Sequence, residues 1–295
     1  MKNNKQIIYI SLILIALTGA VTACRSAAEE STQATVEDLI PTPTEAPMAV
    51  RVNGEGILLS EFEAEMQRYR TAREGSDEAY DPNQAKTDVL DYLLNQALLA
   101  KAAADQGYTV DDAAMVERMN KFVEDIGSQE SLNTWIAENF FTEESFRLAV
   151  ARDLSALWMR NQILENVPKN AEQVHARQIL VRSEAEAAAI ENRLLAGAAF
   201  ETLAFEYDPL TGGELGWFPR GYLLQEDVEE AAFNLEAGGI SSRIQTSYGF
   251  HFIQVIEKDA EHLLSPDALH FVQVNALENW LETRREESQI EILVP

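Results

Sequence analysis

The chain has 295 residues, which is enough for two ordinary domains, each with a core of its own. Its formal net charge is −26, and a surface that binds phosphate backbones has to be basic, so the composition argues against a nucleic-acid partner. The same charge predicts long-range attraction for basic, unfolded polypeptides.

The N-terminal segment has the pattern of an export signal. Lys2 and Lys5 precede an apolar run at 7–20, which is shorter than a membrane-spanning helix. Cys24 follows the small residues at 21–23 and is the only cysteine in the sequence. A single exported thiol would be a liability in an oxidising compartment, so this cysteine calls for a specific explanation.

The end of the run, Val-Thr-Ala-Cys, resembles the lipobox of bacterial lipoproteins. The resemblance implies a signal peptide over 1–23, acylation of Cys24, and a lipid anchor that holds the protein on the extracytoplasmic face of the cell membrane. An ordinary secretory peptide and an uncleaved anchor are the alternatives. Residues 24–47 are rich in Ser, Thr, Ala, Glu and Pro, which cannot bury a core, so they predict a disordered tether.

A mainly helical region is predicted after the tether. A short strand and turn at 50–57 come first, and Ser60 and Glu63 then form a capping box at a helix start. A long apolar stripe predicts a helix over 83–106. Further helices are predicted over three segments: one capped by Thr109 and Asp112, and two at 132–140 and 142–167.

The helical region carries no motif for chemistry: no histidine and carboxylate at ligand spacing, no glycine-rich phosphate loop and no nucleophile with a base. Its large, adaptable apolar side chains either line a client-binding groove or form core, and their helical spacing favours core. These residues are Met66, Met115, Met119, Trp135 and Trp158.

Short strands and helices alternate in the following segment. A strand at 174–182 precedes a helix that the capping box of Ser183 and Glu186 opens. A short helix, a glycine-rich turn, a helix at 225–233 and strands near 241 and at 250–256 complete the segment. Strands at both ends predict a small α+β domain with a largely antiparallel sheet.

The last elements need a partner outside this domain. Ser265 followed by Pro266 marks a helix start, and 289–294 alternates like a strand. A lone helix and strand cannot bury their apolar faces, so we expect them to return to the helical region, with the last strand near 50–57. The expected domains are a helical domain at 48–170 and 262–295, and an inserted domain at 172–260.

Three segments in this order and at this spacing resemble a known family: 175–181, 212–218 and 245–255. They resemble the parvulin-type (PpiC-like) peptidyl-prolyl isomerase domain, and the flanking regions resemble the chaperone part of the extracytoplasmic foldases of the PrsA and SurA kind. The resemblance implies an α+β fold class. A mainly helical, discontinuous SurA-like chaperone domain is closed by the C-terminal helix and strand and carries an inserted parvulin-like α+β domain.

The resemblance also implies a site. The residues that match the family's catalytic positions are His251, Gln178, Asp208 and Thr246. The residues that match its substrate-binding positions are Leu215, Leu223, Val228, Tyr248 and Phe250. The implied reaction requires no metal and no cofactor, because rotation about an X–Pro bond breaks no covalent bond.

The first strand departs from the family pattern in a way that predicts weakened activity. Gln178 stands where the family carries a second histidine, and glutamine donates and accepts hydrogen bonds but does not titrate. His175, three residues earlier, is predicted to point to the opposite face of the sheet and is a poor substitute.

Further departures concern the loop, the pocket and the other histidines. The loop at 207–212 is shorter than usual, and the pocket residues Leu223 and Val228 are smaller than the family's pair. On the residues alone, His251 fits a satisfied core histidine as well as a catalytic one. His262 and His270 are expected to lack partners.

Two functional hypotheses remain open. The first is a membrane-tethered prolyl isomerase that assists unfolded or partly folded exported polypeptides containing proline. The second is a chaperone lipoprotein that keeps the parvulin fold as a client platform with little or no isomerase activity. A solute-binding lipoprotein is a third class, and no motif supports it.

Overall fold

The computed structural model describes residues 46–74 and 80–294. The predicted signal peptide at 1–23, Cys24 and nearly all of the predicted tether lie outside these residues. Across the described ranges, no helix combines the length and apolar character that crossing a membrane requires.

The chain first forms a hairpin and then a run of helices. The antiparallel strands β1 (Met48–Val52) and β2 (Glu55–Leu58) are joined by Asn53 and Gly54, both at positive φ. The helices that follow are α1 (Leu59–Arg73), α2 (Pro82–Asp105), α3 (Asp112–Ile126), α4 (Gln129–Glu138) and α5 (Glu143–Glu165).

The starts of two helices differ from the sequence predictions. α1 begins directly after β2, with Leu58 as its N-cap and no side-chain cap, so Ser60 already lies in the first turn and forms no capping box. α3 is capped by Asp111, whose carboxylate accepts from the amide of Ala114 at 2.7 Å. The predicted cap Ser60 lies two positions after the observed N-cap Leu58. The predicted caps Thr109 and Asp112 lie two positions before and one position after the observed N-cap Asp111.

The next part of the chain is an antiparallel sheet with helices on both faces. Its elements are β3 (Asn170–Val181), α6 (Glu184–Leu195), α7 (Phe200–Tyr207), β4 (Glu214–Pro219), α8 (Glu226–Asn234), β5 (Ile244–Thr246) and β6 (Gly249–Leu263). The strand order is β4-β3-β6-β5. The predicted glycine-rich turn is confined to its first residues, because the chain from Glu214 onward pairs with β3 as a strand.

Each face of this sheet carries an apolar core. Val174, Ala176, Ile253 and Val255 point to the face covered by α8. The alternate residues of the same strands, with Ile179 among them, pack against α6 and α7 on the other face. Side chains of successive strand residues alternate between faces, so one strand pair supplies both cores.

The C-terminal elements return to the helical domain. α9 (Pro266–Glu287) contacts α2 and α5, and β7 (Ile290–Ile292) pairs antiparallel with β1. Arg285 of α9 donates to Asp91 at 2.8 Å and to Asn95 at 2.7 Å, both on α2. The predicted fold class, a discontinuous helical domain with an inserted α+β domain, is confirmed.

The methionine and tryptophan side chains of the helical domain belong to its core. Met115 is buried, and the other four pack half-buried against apolar clusters. Of the two interpretations of these residues, the structure therefore favours core for four of them, whereas Met115 is buried and also lines a groove on α3 and α5. The residues concerned are Met66, Met115, Met119, Trp135 and Trp158.

Replacing Arg285 with alanine should destabilise the protein, because α9 then loses its charged hydrogen bonds to α2. We expect a loss of about 1–2 kcal/mol in the free energy of unfolding, since the ion pair is only partly buried. Urea titration followed by circular dichroism measures this loss. Arg284→Ala is the matched control, because the described contacts of Arg284 stay within its own helix: an ion pair with Glu287 and a position over the ring of Trp280. Equal stability of the two variants would show that the hydrogen bonds of Arg285 do not stabilise the packing of α9 on α2.

Candidate active site

Two polar side chains meet on the face of the sheet that α8 covers. Gln178 of β3 pairs with Ile253 of β6, and His251 pairs with Leu180. Gln178 and His251 are therefore diagonal neighbours on one face, within reach of each other. The Nδ1 atom of His251 lies 3.1 Å from Oε1 of Gln178.

The imidazole of His251 is held at both nitrogens. Its Nε2 atom lies 2.9 Å from the hydroxyl of Thr246, and that hydroxyl accepts from the amide of Tyr248 at 3.1 Å. The arrangement is satisfied when Thr246 donates to Nε2 and His251 donates from Nδ1–H to Gln178. This tautomer follows from the hydrogen-bond pattern, since hydrogen positions are assigned from the network around them.

Burial keeps this histidine neutral. His251 is only 3 % exposed, and desolvation lowers its pKa. A neutral imidazole also fits the hydrogen bonds, because its Nε2 atom can accept from the Thr246 hydroxyl while Nδ1–H donates to Gln178. The site thus contains a polar but uncharged group beneath apolar side chains.

Two glycines allow the backbone to approach closely enough to form this array. A Cβ on Gly213 would stand 1.8 Å from the carbonyl oxygen of Gln178, and the amide of Gln178 donates to the carbonyl of Gly213 at 2.8 Å. A Cβ on Gly249 would stand 2.3 Å from the carbonyl oxygen of Val181. Both glycines also have positive φ, of 69° and 140°, which disfavours any side chain there.

A cavity of about 250 Å³, which we call the sheet cavity, opens above Gln178 and His251. Its floor is polar and its walls are largely apolar, as expected for a small binding site. The lining residues are Gln178, Leu215, Tyr222, Leu223, Leu224, Gln225, Val228 and His251. Five of the predicted site residues therefore lie together here, and Thr246 contacts them through His251.

Besides Thr246, three predicted site residues do not line the sheet cavity. Phe250 is on the opposite face, packed against the core that includes Phe252, because it is one residue away from His251 in the strand. Tyr248 is 60 % exposed in the turn between β5 and β6. Asp208 lies at the end of α7, and its side chain accepts hydrogen bonds from the loop that follows.

The carboxylate of Asp208 is fully engaged within the loop that leads to β4. It accepts from the amides of Leu210 and Thr211 at 3.2 Å, from the amide of Gly213 at 3.3 Å, and from the hydroxyl of Thr211. These bonds lower the pKa of Asp208, the hydroxyl bond most strongly. Asp208 thus stabilises the turn that carries Gly213, and the carbonyl of Gly213 accepts from the amide of Gln178.

The remaining sheet histidines flank Trp217 on the opposite face. His175 stacks on Trp217 at 5.4 Å and lies 2.5 Å from a carboxylate oxygen of Glu214. His262 stacks on the same ring at 3.9 Å and lies 3.4 Å from Asp259. The expectation that His262 lacks partners is wrong, because β6 runs further than predicted and carries it to Trp217. His270 is exposed on α9.

Sequence reasoning missed three lining residues: Tyr222, Leu224 and Gln225. They lie in an irregular segment between β4 and α8, and the only available signal was their proximity to Leu223 in the chain. A larger groove of about 550 Å³ lies on α3 and α5. Its lining includes Met115, one of the residues considered for a client-binding groove, and none of the predicted catalytic or substrate-binding residues. Among the described residues, no group of three or more metal-ligating side chains occurs.

The fold and the site together define a class of protein: a parvulin-like α+β domain, with its His–Gln pair beneath an apolar cavity, inserted in a helical domain. Residues 1–160 match the sequence profile described as SurA-like N-terminal domain. Residues 162–259 match the profile described as PPIC-type PPIASE domain. The chain belongs to the family of proteins that join a SurA-like N-terminal domain to a parvulin (PPIC-type) domain.

Curated relatives carry the name Foldase protein PrsA. The chain is 31% identical over 175 residues to that of Oceanobacillus iheyensis, covering 54% of this chain and 58% of the relative. It is 26% identical over 229 residues to that of a Geobacillus species, covering 74% and 80%. The first relative is thus matched over little more than half its length.

Solved structures show a weaker likeness. A crystal structure of peptidylprolyl isomerase (PrsA) from Bacillus cereus is 19% identical and covers 82% of this chain and 90% of that one, with a TM-score of 0.44. Membership of the family rests on the sequence profiles.

The lowered pKa of His251 predicts a specific dependence of stability on pH. As pH falls through about 6.5, the unfolded chain binds a proton that the folded state still excludes, so the free energy of unfolding falls. His251→Asn should remove this contribution. We therefore expect a smaller loss of stability between about pH 7.5 and about pH 5.5 in His251→Asn than in the wild type, measured by urea titration at both pH values.

His270→Asn is the control for this comparison. His270 is exposed on α9, so its replacement should leave the wild-type pH dependence in place. The same loss of stability in all three proteins would show that His251 is protonated as readily in the folded state as in the unfolded chain.

Proposed function

We propose that this protein is a parvulin-type peptidyl-prolyl isomerase that assists the folding of exported polypeptides. The observation that carries the proposal is the hydrogen-bonded array of Gln178, His251 and Thr246 at the floor of an apolar cavity. Two further observations support the same conclusion. The chain matches the SurA-like and PPIC-type domain profiles, and its curated relatives are named as foldases.

The reaction needs a particular environment, and the sheet cavity has its elements. Rotation about an X–Pro bond has a barrier of roughly 18–20 kcal/mol, which arises from amide resonance. Leu215, Leu223 and Val228 offer an apolar surface that would hold the proline ring while the preceding carbonyl turns. Each tenfold gain in rate requires about 1.4 kcal/mol of preferential stabilisation of the twisted amide.

Gln178 is the group placed to give this preference. Its Oε1 atom accepts from His251, and its NH₂ group makes no hydrogen bond to any residue the structure describes. Twisting the amide releases the lone pair of the prolyl nitrogen from conjugation, and a donor in the cavity favours that state over the planar one. His251, oriented by Thr246, would fix the Gln178 side chain with its NH₂ group toward the cavity.

The other predicted residues have supporting roles in this proposal. Asp208 would act by bracing the loop of Gly213, whose carbonyl binds the backbone of Gln178. Phe250 would support the sheet from the opposite face. Tyr248, at the exposed turn, would contact the peptide outside the cavity.

Changing the donor at position 178 should change the rate. An imidazole N–H is a stronger donor than a carboxamide, so Gln178→His should raise kcat/KM for a proline tetrapeptide about tenfold, and Gln178→Leu should lower it by a similar factor. His251→Ala should also lower the rate, because Gln178 loses its orienting partner. A protease-coupled or NMR-exchange assay measures these rates, with thermal melts to exclude misfolding.

His270→Ala, an exposed change on α9, is the control and should turn over like the wild type. Undetectable activity in the wild type and in Gln178→His, with both proteins folded, would reject the isomerase. A wild-type rate in His251→Ala would show that the array is not the site.

We also propose that the chain is anchored to the membrane by acylation of Cys24, on the extracytoplasmic face, with 24–47 as a tether. Wild type should then take up labelled fatty acid and partition with membranes, because the lipid chains bury in the bilayer. Cys24→Ser should do neither. Equal labelling of the two proteins would remove the anchor from the proposal.

The net charge of −26 favours basic unfolded segments as clients.

A chaperone with little isomerase activity is the second candidate. The groove on α3 and α5 favours it, since this surface is apolar at Met115, Leu148 and Ala151, and Leu148 is 65 % exposed. Glu143, Glu144 and Arg147 line the same groove, which we call the α3–α5 groove. An extended client with apolar and basic residues would fit this combination.

A further inference from the structure

One wall of the sheet cavity has no regular secondary structure. Residues 220–225, which we call the wall segment, connect β4 to α8 and contribute Tyr222, Leu223, Leu224 and Gln225 to the lining. Gly221 has a φ of 81°, and Leu224 is 89 % exposed. The sheet ladder does not hold this wall, so its position depends on other contacts.

Glu229 of α8 supplies these contacts. Its Oε1 atom accepts from the amide of Gly221 at 2.6 Å, and its Oε2 atom accepts from the amide of Leu223 at 2.9 Å. The amide of Glu229 in turn donates to the carbonyl of Gln225 at 3.0 Å. Bonds between a carboxylate and backbone amides are charge-assisted and stronger than neutral ones. Both ends of the wall segment are thus tied to one residue.

Besides the ion pair of Arg220, its first residue, with Glu172 of β3 at 2.9 Å, the wall segment has a second attachment, to the helical domain. The ring of Tyr222 packs edge-on against Phe271 of α9, with ring centroids 5.2 Å apart and an interplanar angle of 87°. Gly221 lies beneath the same Phe271 ring. Tyr222 is therefore fixed from outside the cavity while Glu229 fixes the backbone on either side of it.

We propose that Glu229 is a positioning residue for substrate binding: its carboxylate holds the wall segment where Tyr222 and Leu223 close the sheet cavity around proline. This inference rests on the proposed isomerase function and assigns a part of the site that the catalytic array does not include. Glu229 itself does not line the cavity. It acts on the substrate only through the backbone that it holds.

The proposal predicts a defect in binding with the chemical step intact. A wall contacts the proline ring equally in the planar and twisted amide, so its loss removes uniform binding. Glu229→Ala should raise KM about tenfold with kcat unchanged, and Glu229→Gln, which keeps one acceptor oxygen, should lie between it and the wild type. Hydrogen exchange should quicken at the amides of Gly221 and Leu223 in the same order.

Glu230→Gln is the matched control. Glu230 is the next residue of α8, is exposed, and makes no hydrogen bond or ion pair among the described contacts, so the same change of charge there should leave KM and amide exchange as in the wild type. Phe271→Leu, which loosens the second attachment from another helix, should raise KM without quickening exchange at Leu223. It keeps the test usable if Glu229→Ala fails to fold.

The outcomes separate this inference from the function on which it rests. If the wild type does not turn over, the isomerase is rejected, and the dissociation constant of a fluorescent proline peptide replaces KM as the readout. An unchanged KM or dissociation constant in Glu229→Ala, despite faster exchange at Gly221 and Leu223, overturns the positioning role. A fall in kcat with KM unchanged overturns it as well.

Discussion

The pairing of β3 with β6 is the interaction on which the rest of the structure depends. The two strands, of 12 and 15 residues, pair antiparallel from Asn170 opposite Leu263 to Val181 opposite Phe250, and the register shifts between Ala171 and Gln173 and between His175 and Ala176. From Ala176 to Val181 the pairing is continuous. Their alternate residues supply both apolar cores of the inserted domain. The same register sets Gln178 beside His251. A slip of one residue would move His251 to the other face and dissolve the site, since side chains alternate with a period of two.

Other elements are attached to this pair by specific contacts. Lys258 of β6 donates to the carbonyls of Phe233 and Leu235 at 2.7 and 2.9 Å, which ends α8 above the sheet. The loop before β4 approaches β3 so closely that only glycine fits at position 213. α8 then carries Val228 into the sheet cavity. Desolvation of His251 is a consequence of this packing, and its neutral state follows.

The sequence predicted those parts of the fold that depend on local patterns. Amphipathic periodicity located α2 and α9, and the unsatisfied apolar faces at the C-terminus predicted the return to the helical domain. Motif spacing brought Gln178, His251, Leu215, Leu223 and Val228 to attention. Their assignment to a site came from the resemblance of these motifs to a known family, because alternation and turn chemistry alone do not single them out.

The sequence could not predict what depends on contacts between distant segments. Phe250 belongs to the motif at 245–255, but the sheet face to which its side chain points depends on how β6 pairs with β3. Asp208 carries a carboxylate that could serve as a catalytic acid. Only the folded loop shows that this carboxylate accepts hydrogen bonds from neighbouring amides. Tyr222 lines the cavity because Phe271, far along the chain, holds its ring.

The central claim is that a proline peptide binds over Gln178 and His251 and isomerises there. NMR of the ¹⁵N-labelled protein with a proline tetrapeptide tests it directly, because exchange between cis and trans signals and the perturbed amides are recorded in one sample. We predict faster exchange together with shifts at Gln178, Leu223 and Val228. Unchanged exchange, with shifts confined to Arg147 and Leu148 of the α3–α5 groove, would contradict it and favour a chaperone that binds clients without isomerising them.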